Sequence, residues 1–500
     1  MFALPLLLLL QADPQPTVAT TAAPPAATTV ERPLSAQLVY FAMVDRFADG
    51  SPNLPDVKRG TRGRFWGGDL QGLRAKLPYL KSLGITLLWL TPLHMQVATP
   101  LKDGTVGYHG YWPERFDAID PHFGGEDDLH ALIKDAEAHG MGVVVDVVTN
   151  HTGYGARLAR DPAFCRTADE SCGDTDLSRC LFDLPDLKSE DPHVASFVID
   201  HSAWWAERFA LAGFRYDAFK HVEPSIFRAI RERAHKARGA KFITVAEWWG
   251  AEPGDPVLAS LVQDESADTA FDFGLMGLAR DFLTRRMRPQ AFAHHLKRRH
   301  DTALLRREPP MLTFLDNHDT ETFVHAVGPR LAPLGAVLLM TTRGVPVITW
   351  GNEVLREGGK GDPENRSFMP WDRVHEMERD PQSSLALWRA LAALRHRSLA
   401  LRSDELEVMA AHQGNDGSGY VVFERRGGKD RALVAIALGR PLLHVQAGVP
   451  GIEAIVHTGD ASAALNGTAL TLSVPPDGAL VVQLTPQTTP QATPQLTSPP

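Results

Sequence analysis

Between Ala36 and Leu401, short apolar runs alternate with longer amphipathic ones, and this alternation restricts the possible folds more than any other feature. Leu38–Val44, Ile85–Leu90, Val143–Val148, Phe242–Ala246, Met311–Leu315 and Val345–Ile348 are apolar on both faces, as strands of a buried parallel sheet must be. Gly213–Asp217 and Thr269–Phe273 are weaker candidates that bring the count to eight. Helical periods lie between them. Leu129, Leu132, Ile133 and Ala136 share one face of Asp127–His139, and Val194–Leu211 carries Phe197, Trp204, Trp205 and Phe209. Strand–helix alternation over this length predicts an α/β fold, a (β/α)8 TIM barrel.

One connection is abnormal. Residues 149–192 show no useful period and hold all three cysteines, Cys165, Cys172 and Cys180. A loop this long inside a compact barrel is usually functional, and it reads as a subdomain inserted after strand 3. After Arg402 the pattern changes to short alternating strands (Tyr420–Glu424, Ala432–Leu438, Leu442–Val445, Leu470–Val474 and Leu480–Leu484), which predict an all-β sandwich domain. The expected organisation is a leader over 1–33, a catalytic barrel over 34–401, the β domain over 402–484 and an unstructured tail over 485–500. Phe2–Leu10 has the size of a signal-peptide h-region, without the usual positive n-region, so secreted or periplasmic export is expected. In such a compartment the cysteines allow one local disulfide and one free thiol. A zinc site would need a fourth ligand and tighter spacing. Composition adds exclusions: 44% apolar and 22% charged residues rule out disorder throughout, and a net charge of −9 gives no footprint for nucleic acid. No apolar run approaches the roughly 20 residues of a membrane span.

In such barrels the chemistry sits where the strands end. Here those ends carry acids: Asp146, Asp217, Glu247, and Asp316 with Asp319. A single acid there is ordinarily a helix cap. Four strands ending in acids describe a ring around one mouth, and paired carboxylates in a cleft are what glycoside hydrolysis needs. Arg215, two residues before Asp217, shares its strand face and should favour ionised Asp217. Glu247 precedes Trp248 and Trp249, and an apolar wall raises a carboxyl pKa, as a general acid requires.

Asp146-Val-Val-Thr-Asn150-His151, Gly213-Phe-Arg215-Tyr-Asp217-Ala-Phe-Lys220-His221, Ala246-Glu247-Trp248-Trp249 and Phe314-Leu-Asp-Asn-His318-Asp319 resemble the four signature blocks of the α-amylase family, in order and spacing. Tyr108-His109-Gly-Tyr111-Trp112, Asp183-Leu-Pro-Asp186-Leu and the stretch from Gly344 to Glu353 extend the likeness, which covers roughly Gln37 to Leu484. The run from Val44 to Gly50 and Gly361-Asp362-Pro-Glu-Asn-Arg366 are most similar to cyclodextrin glucanotransferases and maltogenic amylases.

The resemblance implies retaining cleavage of α-1,4-glucosidic bonds. Asp217 would be the nucleophile, Glu247 the general acid/base, and Asp319 the third acid on the −1 sugar. That mechanism expects the Asp217 and Glu247 carboxyls about 5–5.5 Å apart. Tyr108, His109, Tyr111, Asp146, His151, Arg215 and His318 would contact substrate near the scissile bond. Asp362 and Arg366 would act further toward the non-reducing end, and Phe182, Lys220, His221 and Trp249 on or near the leaving-group side. A structural Ca2+ is implied, held by Asn150, Asp186 and the backbone carbonyls of Leu177 and His221, oxygen donors that suit a hard cation. A second site near Asp49, Gly67 and Asp69 has weaker support, because Ser51 and Leu54 depart from the glucanotransferase pattern. The expected substrate is an α-glucan and the expected state a monomer. Phe182 occupies the central aromatic position of glucanotransferases, but no further C-terminal domain follows, so hydrolysis of starch or malto-oligosaccharides is the expected reaction. Glucanotransfer is the alternative. A non-catalytic sugar-binding relative is disfavoured by the presence of all three acids.

Overall fold

A computed structural model describes residues 32–168 and 171–486. The signal-peptide and leader assignments to 1–31, and the tail assignment beyond 486, fall outside these residues.

Eight parallel strands close into a barrel: β1 (Val39–Ala42), β2 (Leu87–Leu90), β3 (Gly142–Val147), β4 (Gly213–Tyr216), β5 (Ile243–Ala246), β6 (Thr269–Asp272), β7 (Leu312–Thr313) and β8 (Val345–Thr349). Neighbours in sequence are neighbours in the barrel, and β8 closes onto β1 in register Val39↔Val347. The strands are short and buried on both faces, which is why they appear in the sequence as continuous apolar runs. The helix Pro192–Arg208 starts where it does because Pro192 pre-sets the first turn and the Asp191 carboxylate accepts from the amides of His193 and Val194.

The insert between β3 and this helix contains short 3-10 turns and a two-residue ladder, Cys165–Arg166 against Asp186–Leu187. Cys172 and Cys180 form a disulfide, and Cys165 is buried and free. A further hairpin, His94–Gln96 with Pro113–Ile119, escaped the sequence reading. Its first strand is too short to show a period.

The C-terminal domain has eight strands where the sequence indicated five: β9 (Glu405–Gln413), β10 (Gly419–Gly427), β11 (Asp430–Leu438), β12 (Leu442–Gln446), β13 (Ile452–His457), β14 (Ser462–Asn466), β15 (Ala469–Val474) and β16 (Gly478–Leu484). They form a five-stranded sheet ordered β9-β10-β11-β16-β13, facing a three-stranded sheet ordered β12-β15-β14. Along β11, Leu433, Ala435 and Ala437 face the small sheet, whereas Ala432, Val434, Ile436 and Leu438 join the barrel's core. Both sets are buried, the period-2 signature of a sheet covered on each face. The helix Ala332–Thr341 lies in this junction, against β16 and the helix Ser384–Arg397, and is therefore apolar all round.

Candidate active site

The strand ends place their acids around one guanidinium. Arg215, on β4, is buried, and its NH1 reaches Asp146 Oδ2 at 2.8 Å and Asp217 Oδ1 at 2.6 Å, while NH2 reaches Glu247 Oε1 at 2.8 Å. β3, β4 and β5 are adjacent and in register, so these carboxylates converge from neighbouring strand ends. Glu247 Oε2 accepts from the Ala218 amide at 2.9 Å. Ala218 holds a left-handed backbone, φ 50°, which an alanine adopts only at a cost, and this turn aims its N–H at Glu247.

Asp319 approaches from the loop after β7. Its carboxylate pairs with Arg366 NH2 at 3.0 Å and His318 Nε2 at 3.2 Å, and its amide donates to Asn317 Oδ1 at 2.9 Å. Arg366 also donates to the His318 carbonyl and the Tyr108 hydroxyl, and that hydroxyl donates to Asp362. The Tyr111 hydroxyl donates to Asp146 at 2.7 Å, and the Tyr111 and His318 rings lie parallel with centroids 5.1 Å apart.

Burial and charge set the electrostatics. Burial pushes Glu247 up to about 7, against Arg215 but with Asp217 and Asp319 adding to the rise. Burial also raises Asp217, with Arg215 opposing. Arg215 thus favours the ionised form, as expected from its place on the strand, but the guanidinium is shared among three acids and burial is the larger influence on Asp217. Burial raises Asp319 too, but His318, Arg366 and Arg215 together outweigh it and hold the carboxyl below its usual value. Burial pushes His318 down to about 3 and His151 down to about 4, so both rings are neutral near pH 7.

Several of these residues are buried among the others. Asp146 and Tyr108 are 0% and 1% exposed; the first holds Arg215 and Tyr111, the second holds Asp362 and Arg366. Asp316 is also buried, accepting from the Phe323 amide and from Asn352. His109 is buried with Nδ1 accepting from the Tyr111 amide, and His151 Nε2 donates to the Tyr111 carbonyl, so both shape the loop carrying Tyr111. Trp249 and Phe182, by contrast, are 52% and 86% exposed. Lys220 is partly exposed in the turn after β4. Arg46 carries no assigned role in the sequence reading. It lies buried between the Trp66 and Tyr108 rings, 4.0 and 3.9 Å from their centroids, and donates to the Arg366 carbonyl. Only its place in the Val44–Gly50 motif could have flagged it.

Beside the cleft, one terminal atom of the Asn150 amide lies 2.9 Å from the His221 carbonyl oxygen and 3.3 Å from Asp186 Oδ1. With the amide oxygen on that side, three oxygens converge, an arrangement that fits a hard cation. His221 Nδ1 donates to the Asp176 carbonyl, next to Leu177. Near the second proposed site, protein donors already engage the acids. Asp49 pairs with Arg59 and Asn53, and Asp69 accepts from Gly50, Ser51 and Gly72.

The chain matches the alpha amylase catalytic domain family over residues 41–163 and 167–392. It is similar to a cyclomaltodextrin glucanotransferase from Klebsiella oxytoca, with 28% identity over 81% of this chain and 70% of that protein. It spans 30% to 70% of the length of the curated relatives it resembles. Among solved structures it resembles an Anoxybacillus alpha-amylase, with TM-score 0.79 and 28% identity, covering 92% of this chain and all of that one. It also resembles a cyclomaltodextrin glucanotransferase with a three-domain ABC distribution, with TM-score 0.74 and 25% identity, covering 89% and 99%.

Proposed function

This chain belongs to the alpha-amylase family, and we propose that it is an exported, retaining enzyme that hydrolyses α-1,4-glucosidic bonds of starch or malto-oligosaccharides. The observation that carries this reading is Arg215 joining Asp217 to Glu247. One guanidinium keeps the two carboxyls close enough for one to attack the anomeric carbon while the other protonates the departing oxygen.

Glu247, raised to about 7, keeps its proton near neutral pH and delivers it to the leaving glucosyl oxygen. Asp217, oriented by the 2.6 Å bond from Arg215, attacks C1 and forms the glycosyl-enzyme. Glu247, now ionised, takes a proton from water, and the resulting hydroxide releases the sugar with its original anomeric configuration. Asp319, held below the usual carboxylate range with the Arg366 guanidinium as its charged partner, is suited to accept hydrogen bonds from hydroxyls of the −1 sugar. Trp249 offers an exposed face on which a leaving-side glucose can stack. Asn150, Asp186 and the carbonyls of His221 and Leu177 would hold Ca2+, which would tie the insert to the barrel.

The transferase reading keeps one specific support, the exposed Phe182. The chain's domain count no longer favours hydrolysis, because a glucanotransferase of three domains matches it over most of both lengths. Incubation with soluble starch, cyclodextrin and pullulan, with products sized over time, separates the two. Linear products dominating from the first minutes support hydrolysis, and early cyclic glucans establish transfer. NMR of the first product tests retention: a β-anomer would overturn the mechanism. Loss of starch cleavage in Asp217→Asn is expected, and survival of activity would remove the catalytic assignment. Excess chelator should lower the melting temperature, and an unchanged curve would remove the calcium reading.

A further inference from the structure

The oxygen set beside the cleft has one carboxylate, Asp186, and that carboxylate is already in use. In the insert's ladder Arg166 is the direct cross-strand partner of Asp186. Arg166 NH1 donates to Asp186 Oδ2 at 2.9 Å, and NH2 pairs with Glu190. The Arg166 side chain is 12% exposed and that of Asp186 1%, so solvent screens this pair little. The other Asp186 oxygen lies 3.3 Å from a terminal atom of the Asn150 amide, and that same atom lies 2.9 Å from the His221 carbonyl oxygen. One buried carboxylate thus meets a fixed cation on one oxygen and the converging neutral oxygens on the other.

We infer that Arg166 is an internal counter-cation of this site: it competes for the charge of Asp186, weakens divalent-cation binding, and keeps the two strands of the insert's ladder together when no cation is bound. The inference rests on the calcium reading above and concerns how tightly, not where, the ion is held. Two effects share one cause. A unit positive charge one carboxylate away from a divalent ion repels it, and in a buried setting this repulsion far exceeds its value in water. The same charge neutralises Asp186 when the ion is absent, so the ladder does not lose its only compensation.

The test uses the full chain with Arg166→Gln and Arg166→Lys. Calcium affinity is measured by competition with a chromophoric chelator, and melting temperature is measured in calcium and in excess chelator. Arg166→Gln should bind calcium at least about tenfold more tightly than the wild type. Its melting temperature should also depend more strongly on calcium. Arg166→Lys, which keeps the charge, should stay within about threefold of the wild type. Equal affinities and equal calcium-dependent shifts in wild type and Arg166→Gln would overturn the role of Arg166 while leaving the calcium reading standing. Absence of calcium binding in all three proteins would overturn both.

Discussion

Replacing Arg215 with methionine is the most demanding test of the cleft's electrostatics. Methionine fills much of the volume but removes the cation that contacts Asp146, Asp217 and Glu247. Removing one partner from a buried charge pair costs about 3–5 kcal/mol. At 1.36 kcal/mol per pKa unit, that equals about 2–4 units of upward shift shared among the acids. Asp217 must be ionised to attack, so the acid limb of the rate profile moves to higher pH. Glu247 must be protonated, so the alkaline limb, set near pH 7 in the wild type, moves up as well. The expected result is a loss of about 10²–10³-fold in kcat/KM on a nitrophenyl malto-oligosaccharide, with the whole bell displaced to alkaline pH. Stability has a defined sign. Carboxyls whose folded pKa exceeds the unfolded value contribute stability that is full below about pH 4 and lost as pH rises through the folded pKa. Glu247 at about 7 and Asp146 at about 8, the latter raised by burial against Arg215, place that loss between pH 4 and 8 in the wild type. Arg215→Met pushes the folded values higher still, so its melting deficit should be larger at pH 8 than at pH 5. A variant that kept more than about a tenth of kcat/KM with an unmoved profile would refute this account of Arg215.

Three further outcomes are expected. Glu247→Gln should lose starch cleavage and the alkaline limb near pH 7 together, and a residual rate still falling through pH 7 would assign that limb to another group. Trp249→Ala should raise KM about fivefold, from roughly 1 kcal/mol of lost stacking, without moving the melting temperature, because the ring is half exposed. Arg425→Met should cost about 2–4 kcal/mol in urea unfolding, since buried Arg425 serves the carbonyls of Thr341, Ser403 and Glu405.

The barrel was legible because a strand buried on both faces leaves an apolar run that needs no partner to recognise. β13 and β14 were not, because Ile452–His457 is largely half-exposed and Ser462–Asn466 carries small and polar residues that show no alternation. β9 has only Leu406 fully buried among its nine residues. The strand-end acids could be read as a ring, and their adjacency follows from strand order alone. The contacts that tune them could not. Arg366 reaches Asp319 across 47 residues and Tyr108 reaches Asp362 across 254, and no periodicity encodes such pairings. Desolvation was equally hidden: Arg215 beside Asp217 suggested a lowered pKa until burial was known. The complete burial of Asp146 behind its bonds to Arg215 and Tyr111 was hidden for the same reason.

The five-stranded sheet is a wall shared by two rooms. Val434, Ile436 and Val481 belong to the barrel's core, while Leu433, Ala435 and Val482 belong to the core of the outer domain. A chain cut after Arg402 would therefore strip the cover from the helix Ala332–Thr341 and wet the barrel's interior at the junction. The two domains should melt as a single cooperative unit, and the barrel cannot serve as a minimal catalytic fragment. The solvent-facing positions of the outer three-stranded sheet are free to vary, whereas Leu442, Leu470, Leu472 and Val474 are fixed by the core they share with the wall, and the wall itself must change in step with the barrel it closes.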